Sequence, residues 1–422
     1  MAILLTISVN FATLAMLYIL RECLSMFCKL FRLSVAFCFC LLTFFPQSSR
    51  AAENSSVSDE QLNLSLHLLK AKMKNAKGNF VLSPMSVYIA TDLLANGAGG
   101  ETLKKLQKLI LSPLGNVSLT EINQAISEYM QNLSPAIKIN NSVWGNDFRP
   151  EYIQSVEALG AESHDLPQNT QTINEWIENK TKGKIKNVLQ PQATDIGDFY
   201  LVNTVYFNDK WENIFVKQAT KLKPFYDLDA AKPTSVYMMY NYNGAEYYEN
   251  DKFQAIRMRY QRYGKVRANH IDIILPREGI DFRKFVSSLK LQELKVPYNS
   301  YDDSNIDVRI YLPRFEVNYK TPLNAWFKAG GIPLFREDNP DLSAMSNIPH
   351  YVKNIIHQAS IRVDEEGTEA AAATVFEGAA YGAMMPRERQ EKIFNANRPF
   401  IFILNDGLFI GAFIKGGRLE AK

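Results

Sequence analysis

The chain reads as one large α+β domain, and three observations predict it. Helical periodicity dominates the first third, β-branched and aromatic runs dominate the rest, and no internal repeat or low-complexity linker divides the two. Glu60 to Lys74 carries Leu62, Leu64, Leu66, Leu68 and Leu69; Leu119 to Leu133 carries Ile122, Ile126 and Met130 at helical spacing. Phe199 to Phe207, Thr234 to Tyr240, Ala255 to Tyr260, Ile271 to Leu275, Asp307 to Leu312 and Phe400 to Leu404 read as strands bounded by Gly, Asn, Asp and Pro. Helices packed over extended sheets are the layering such a pattern implies.

The segment before this domain reads as targeting sequence. Ala2 to Leu20 is almost wholly apolar, Leu33 to Phe45 is a second apolar run, and Arg21, Lys29 and Arg32 stand before the second run. Ser49-Arg50-Ala51 supplies small residues two positions apart, a cleavage point before Ala52. Read from Met26 this is a secretory signal; read from Met1 it is a long leader, or the first run of about 19 residues is a membrane anchor. Residues 1–51 are therefore expected to be removed, leaving 52–422 as a single domain that is secreted and extracellular. All four cysteines, Cys23, Cys28, Cys38 and Cys40, lie in the leader, so the mature chain has no thiol or disulfide chemistry. A chain of this length has enough core to do without disulfides.

The sequons at Asn54, Asn63, Asn116, Asn132 and Asn179 are expected glycosylation sites. A sixth, at Asn140, falls in an expected strand and should stay unmodified. The leader holds four basic residues, Arg21, Lys29, Arg32 and Arg50, and one acidic residue, Glu22, so its removal takes the formal charge from +3 to zero. Bulk-charge binding of nucleic acid is thereby disfavoured. Lys70, Lys72 and Lys74, and Lys104, Lys105 and Lys108, read as solvated helix faces.

Catalytic chemistry finds no foothold. His67, His164, His270, His350 and His357 show no paired metal spacing, and no Gly-x-Ser-x-Gly elbow is present, so no catalytic residue, metal or cofactor is expected. Gly97, Gly99 and Gly100 lack the lysine of a phosphate loop and read as a helix end.

The most informative stretch runs from Asp364 to Met385, where small side chains lie between acidic residues and a variable tail. On a strand Thr368, Ala370, Ala372 and Thr374 share one face and Glu369, Ala371, Ala373 and Val375 the other, with no bulk until Phe376. A segment that slides between two strands of a formed sheet must carry no proline and nothing large or charged on its inward face. An Ala-rich surface helix is the other reading. No apolar stripe at helical spacing runs through Gly367 to Tyr381, so such a helix would have little to pack with.

Glu365-Glu366-Gly367-Thr368-Glu369-Ala370-Ala371-Ala372-Ala373-Thr374 resembles the hinge of inhibitory serpins. The resemblance extends over nearly the whole chain after about residue 58. Its carriers are Asn79 to Ser86 with a helix through Leu94, Ala98 to Thr102, Asn141 to Trp144, Ile173 to Ile177 with Thr181 to Ile185, and Leu201 to Phe207 running into Lys210-Trp211. Leu312-Pro313-Arg314-Phe315, His357-Gln358-Ala359 and Asn397 to Phe402 complete them. Any one is weak; in this order they are specific.

The resemblance implies the serpin fold, three β-sheets with about nine helices, and an exposed reactive-centre loop at about residues 365–392. It implies a suicide inhibitor of serine proteases that forms a covalent acyl complex and inserts its cut loop into the main sheet; the expected acting unit is a monomer. Some serpins bind heparin through a basic helix, but the matching stretch here, Leu119 to Leu133, has no lysine or arginine, so no heparin site is expected. His357, Asn203, Ser83 and Ser86 match the family's sheet-opening cluster, and Trp211 with Glu365 should flank the top of the opening. In inhibitory members the residue before the scissile bond lies sixteen positions after the first hinge glutamate, which gives Tyr381-Gly382 and a chymotrypsin-like target. Met384, Met385, Arg387 and Arg389 are alternatives, Arg387 redirecting the inhibitor to trypsin-like enzymes. A non-inhibitory carrier, chaperone or storage protein would share the fold.

Overall fold

Ser83 and Pro84 begin the helix that organises the domain. Proline at the first helical turn loses nothing by lacking an N–H, and it opens the helix Pro84–Gly97. Nearly every side chain of this helix is buried, as expected for one apolar on all sides. The computed structural model describes residues 62, 65–111, 118–183, 185–262, 268–298, 306–368 and 389–420. Among them nine α-helices accompany three larger sheets and a two-stranded ribbon, the α+β arrangement expected.

The helix Leu119–Gln131 starts with a capping box, Ser118 Oγ accepting from the Glu121 amide while Glu121 Oε2 accepts from the Ser118 amide. It buries Ile122, Ala125 and Ile126, the i, i+3, i+4 set of one face, and stops two residues short of the expected Leu133. Asn132 ends it, its side-chain amide donating to the Glu128 carbonyl.

The five-stranded sheet positions the site. Its order is Phe315–Pro322, Tyr351–Val363, Asp198–Phe207, Ile137–Gly145, Ala161–Asp165. Tyr351–Val363 and Asp198–Phe207 are parallel neighbours, Tyr351 opposite Asp198 and Ser360 opposite Tyr206, with one irregularity between Val352 and Asn354. Each of these strands is also flanked by an antiparallel neighbour. All of Asp198–Phe207 is buried, which requires cover on both faces. The alternation of side chains supplies it: Phe199, Leu201 and Val205 join Met85, Ile89 and Leu93 in the main core, while Tyr200 and Val202 pack with Ile173, Trp176 and Ile177 of the helix Gln171–Lys180.

A six-stranded sheet, Phe80–Leu82, Phe409–Phe413, Phe400–Leu404, His270–Pro276, Phe253–Arg259 and Glu246–Glu249, is antiparallel in every pairing. A second core of Leu66, Leu69, Met73, Phe253, Phe282, Ile401 and Ile410 packs on it. The four-stranded sheet is Gln390–Asn395, Ile306–Pro313, Thr234–Tyr242 and Lys221–Phe225. No helix among the described residues is long and apolar enough to cross a membrane.

Candidate functional site: the seam between two parallel strands

Two side chains face each other across the seam, because the register sets His357 opposite Asn203. His357 Nδ1 lies 2.8 Å from Asn203 Oδ1, and the Ser83 amide donates to His357 Nε2 at 3.4 Å. With Nε2 accepting, Nδ1 carries the proton and the ring is neutral. Burial pushes His357 down to about 4, since a charged imidazole would be desolvated with no carboxylate to pair with it. Asn203 then donates to Asn141 Oδ1 at 2.6 Å, carrying the chain one strand further. Ser83 offers its backbone N–H, and Ser86 reaches only the Ser83 hydroxyl, at 3.1 Å. An acceptor nitrogen needs one donor, and the amide provides it. Asn141 Nδ2, buried here, has no hydrogen-bond partner, a penalty on the order of 1–3 kcal/mol.

Above the seam the chain leaves Val363, turns, and starts back. The Asp364 amide donates to the Gly367 carbonyl at 2.9 Å to close the turn. Gly367 and Thr368 then pair antiparallel with Lys210 and Asp209, directly beyond Asp198–Phe207. Gly367 has φ +156, and a Cβ there would lie 2.1 Å from the Asp209 carbonyl oxygen, so only glycine fits. Thr368 is fully buried and its hydroxyl lies 2.8 Å from the Tyr260 hydroxyl. Tyr260 stacks on Trp211 with ring centroids 4.2 Å apart. The first two residues of the expected strand are thus paired in the two-stranded ribbon.

The acids before the turn are tied from both sides. Trp211 donates through its amide to the Glu366 carbonyl and through Nε1 to the Asp364 carbonyl, both at 2.9 Å, and the Phe215 amide donates to the Glu365 carbonyl. Glu365 forms a buried two-pronged pair with Arg314 and accepts from Thr220 Oγ1 at 2.7 Å. Burial alone would raise the Glu365 carboxyl, but Arg314 and Thr220 outweigh it and hold the group below its usual range. Asp364, whose nearest cation is the Arg362 Nε at 3.5 Å, is raised by burial. Glu366 pairs with Lys217.

Of the residues singled out in the sequence, the structure brings Ser83, Ser86, Asn203 and His357 into one cluster and Trp211, Glu365, Glu366, Gly367 and Thr368 into a second above it. Glu369 to Thr374, Tyr381, Gly382, Met384, Met385 and Arg387 lie outside the described residues, as do Asn54, Asn63 and Asn116. Arg389 is described; its guanidinium pairs with Asp307 at 3.0 Å at the start of Gln390–Asn395. Asn132 and Asn179 are exposed, whereas Asn140 lies half-buried in a strand and donates to Thr204 Oγ1. Tyr260, Thr220, Asn141 and the role of Arg314 escaped sequence reading. Arg314 carried the one available signal, since an arginine among Leu312, Pro313 and Phe315 needs an acid if buried.

The geometry defines a class: two parallel neighbours in a five-stranded sheet, with the chain turning back beyond Val363 to pair with Lys210 and Asp209. A sequence profile described as Serpin (serine protease inhibitor) matches residues 59–415, and the chain belongs to the serpin family. Human leukocyte elastase inhibitor is 29% identical, over 86% of this chain and 99% of that protein. A serpin-like protein of Methanosarcina mazei is 30% identical over 78% of each chain. Among solved structures, the thermophilic serpin tengpin in its native state matches with TM-score 0.70 and 27% identity, over 88% of this chain and 97% of that one. Thyroxine-binding globulin complexed with thyroxine shares the fold at TM-score 0.69 and 20% identity, over 85% and 98%.

Proposed function

We propose that this serpin traps a serine protease as a suicide substrate, cleaved after Tyr381. The protease serine hydroxyl adds to the Tyr381 carbonyl, the bond to Gly382 breaks, and the new amine leaves with the C-terminal part of the loop. The acyl ester stays on Tyr381. The released strand then enters the seam between Asp198–Phe207 and Tyr351–Val363 and carries the enzyme with it.

The observation that carries this reading is the parallel pairing of those two strands. Chain returning from Val363 runs antiparallel to both, so one parallel ladder is exchanged for two antiparallel ones, the pairing more stable per residue. About ten added backbone hydrogen bonds at roughly 0.5 to 1.5 kcal/mol net each supply the driving force. Displacing a protease active site by a few ångströms is enough to stop deacylation. Length supports the bond assignment. Tyr351–Val363 has 13 residues, and Glu369 through Tyr381 would lie along it end to end. Cleavage after Arg387 would add about 20 Å of slack at about 3.3 Å per residue, and Arg389 is held at the sheet by Asp307.

Incubation with chymotrypsin and with trypsin, followed by SDS gels and sequencing of the released peptide, tests the assignment. An SDS-stable complex with chymotrypsin and a peptide beginning at Gly382 are expected; a peptide beginning at Glu388 would redirect the inhibitor to trypsin-like enzymes. Cleavage without a complex would instead favour a carrier, a reading supported by the fold shared with thyroxine-binding globulin. Labelling by a serine-directed fluorophosphonate would favour a hydrolase. Loss of residues 1–51, secretion, glycosylation at Asn132 and Asn179, and action as a monomer belong to the same proposal. The helix Leu119–Gln131 is proposed to bind no heparin.

A further inference from the structure

The last described residues of the chain run to the base of the hinge. After the strand Phe409–Phe413, the Gly416 amide donates to Asp227 Oδ1 at 2.7 Å, and the segment continues to Glu420. There two buried guanidinium groups meet it. Arg314 Nη1 donates to the Leu419 carbonyl and Arg362 Nη2 to the Glu420 carbonyl, each at 2.9 Å. The same two arginines hold the acids of the turn: Arg314 pairs with Glu365, and Arg362 stands beside Asp364 while pairing with Glu316 at 2.9 Å. Tyr237 joins the parts, its hydroxyl donating to Glu420 Oε1 at 3.2 Å and its ring lying 5.1 Å from the Arg314 guanidinium.

We infer that the C-terminal segment 416–420 is a strap that positions Arg314 and Arg362 and thereby sets how long the uncut molecule keeps its hinge from entering the sheet further. A buried guanidinium needs its donors satisfied, and each arginine takes one acceptor from this segment. Leu419 is half-buried and Arg418 and Glu420 are exposed, so the segment is a thin cover over the buried Arg314–Glu365 pair. Without it, one donor of each arginine turns to solvent, water reaches the pair, and the attraction holding Glu365 is weakened. Glu365 is the residue from which the strand must peel to advance. The strap therefore slows insertion while adding little to the cores, since it lies outside every apolar cluster.

The inference rests on the insertion reading, and its test separates the two. The full-length protein and a truncation ending at Gly417 are held at elevated temperature while inhibitory activity is followed, and the inactivated material is then melted. The truncation removes the acceptors of both arginines and is expected to lose activity at least about fivefold faster, fivefold being roughly the factor one net hydrogen bond is worth, and its inactive product to melt above its starting material. Tyr237→Phe, which loosens the strap without touching the hinge, should give a smaller acceleration in the same direction. Equal half-lives, or loss through a product that melts lower, would overturn the strap. If instead full-length protein cut in its loop gains no thermal stability, the insertion reading itself fails.

Discussion

The five-stranded and six-stranded sheets differ in how their strands are oriented, and on the proposed reading that difference decides which of them can take another strand. Every neighbour in the six-stranded sheet is antiparallel, so a strand inserted between any two of them would lie parallel to one side. The five-stranded sheet holds Tyr351–Val363 and Asp198–Phe207 parallel, and a strand entering there would be antiparallel to both. On the proposed reading, the six-stranded sheet gains nothing from an inserted strand and the five-stranded sheet exchanges a parallel ladder for two antiparallel ones. The seam is also closed differently from the cores. His357 bridges it by a hydrogen bond to Asn203, and Asn203 passes the chain on to Asn141 of the next strand, whereas Phe80, Phe402 and Gly411 close the other sheet by contact without clearance.

That contrast can be broken first at Thr368. Thr368→Arg places a guanidinium where the side chain is fully buried and removes the bond to Tyr260. An unpaired buried charge costs about 3–5 kcal/mol, so inhibition should be lost outright, with the loop cut and no SDS-stable complex formed.

The closing cluster should show itself in pH dependence. His357 has a folded pKa of about 4 against an ordinary 6.5, so between those values the unfolded chain binds the extra proton. The stability it contributes is complete above about pH 6.5 and is lost as pH falls toward 4, amounting to about 3 kcal/mol. Urea unfolding across this range should show that slope, and His357→Asn should flatten it.

A pair of glycine substitutions sharpens the comparison further. At Gly411, in the six-stranded sheet, a Cβ would lie 2.2 Å from the Phe402 ring and 2.4 Å from the Phe80 carbonyl. Gly411→Ala should lower global stability by about 1–3 kcal/mol. Gly367→Ala meets the Asp209 carbonyl at 2.1 Å; because only the two-residue pairing with Lys210 and Asp209 has to give way, it should lower the unfolding midpoint less than Gly411→Ala does and raise the number of inhibitor molecules consumed per protease inactivated. The smallest effect is expected at Arg387: Arg387→Ala should leave complex formation with chymotrypsin unaltered, as gels would show.

The sequence disclosed elements better than partners. Phe400 to Leu404 was legible to the residue, and Phe199 to Phe207 and Asp307 to Leu312 to within one at either end, because their β-branched and aromatic runs end at turn-forming residues. The pairing of Asp198–Phe207 with Tyr351–Val363 joins segments about 150 residues apart, and no local pattern encodes that register. Likewise the small residues from Gly367 onward read as a strand suited to a tight space, of which Gly367–Thr368 is described. That Thr368 is already seated under Trp211 and Tyr260 depends on three distant segments meeting. Ser83 and Ser86 were found by resemblance, but which atom of Ser83 serves His357 is set by backbone geometry that residue types do not reveal.

The most direct measurement compares the melting temperature of the intact protein with that of protein nicked in its loop and freed of protease. If the cut segment becomes the sixth strand of the five-stranded sheet, the nicked form should melt more than about 10 °C higher, as several added hydrogen bonds require. Equal melting temperatures, with the segment from Glu369 onward still open to a second protease, would contradict the account.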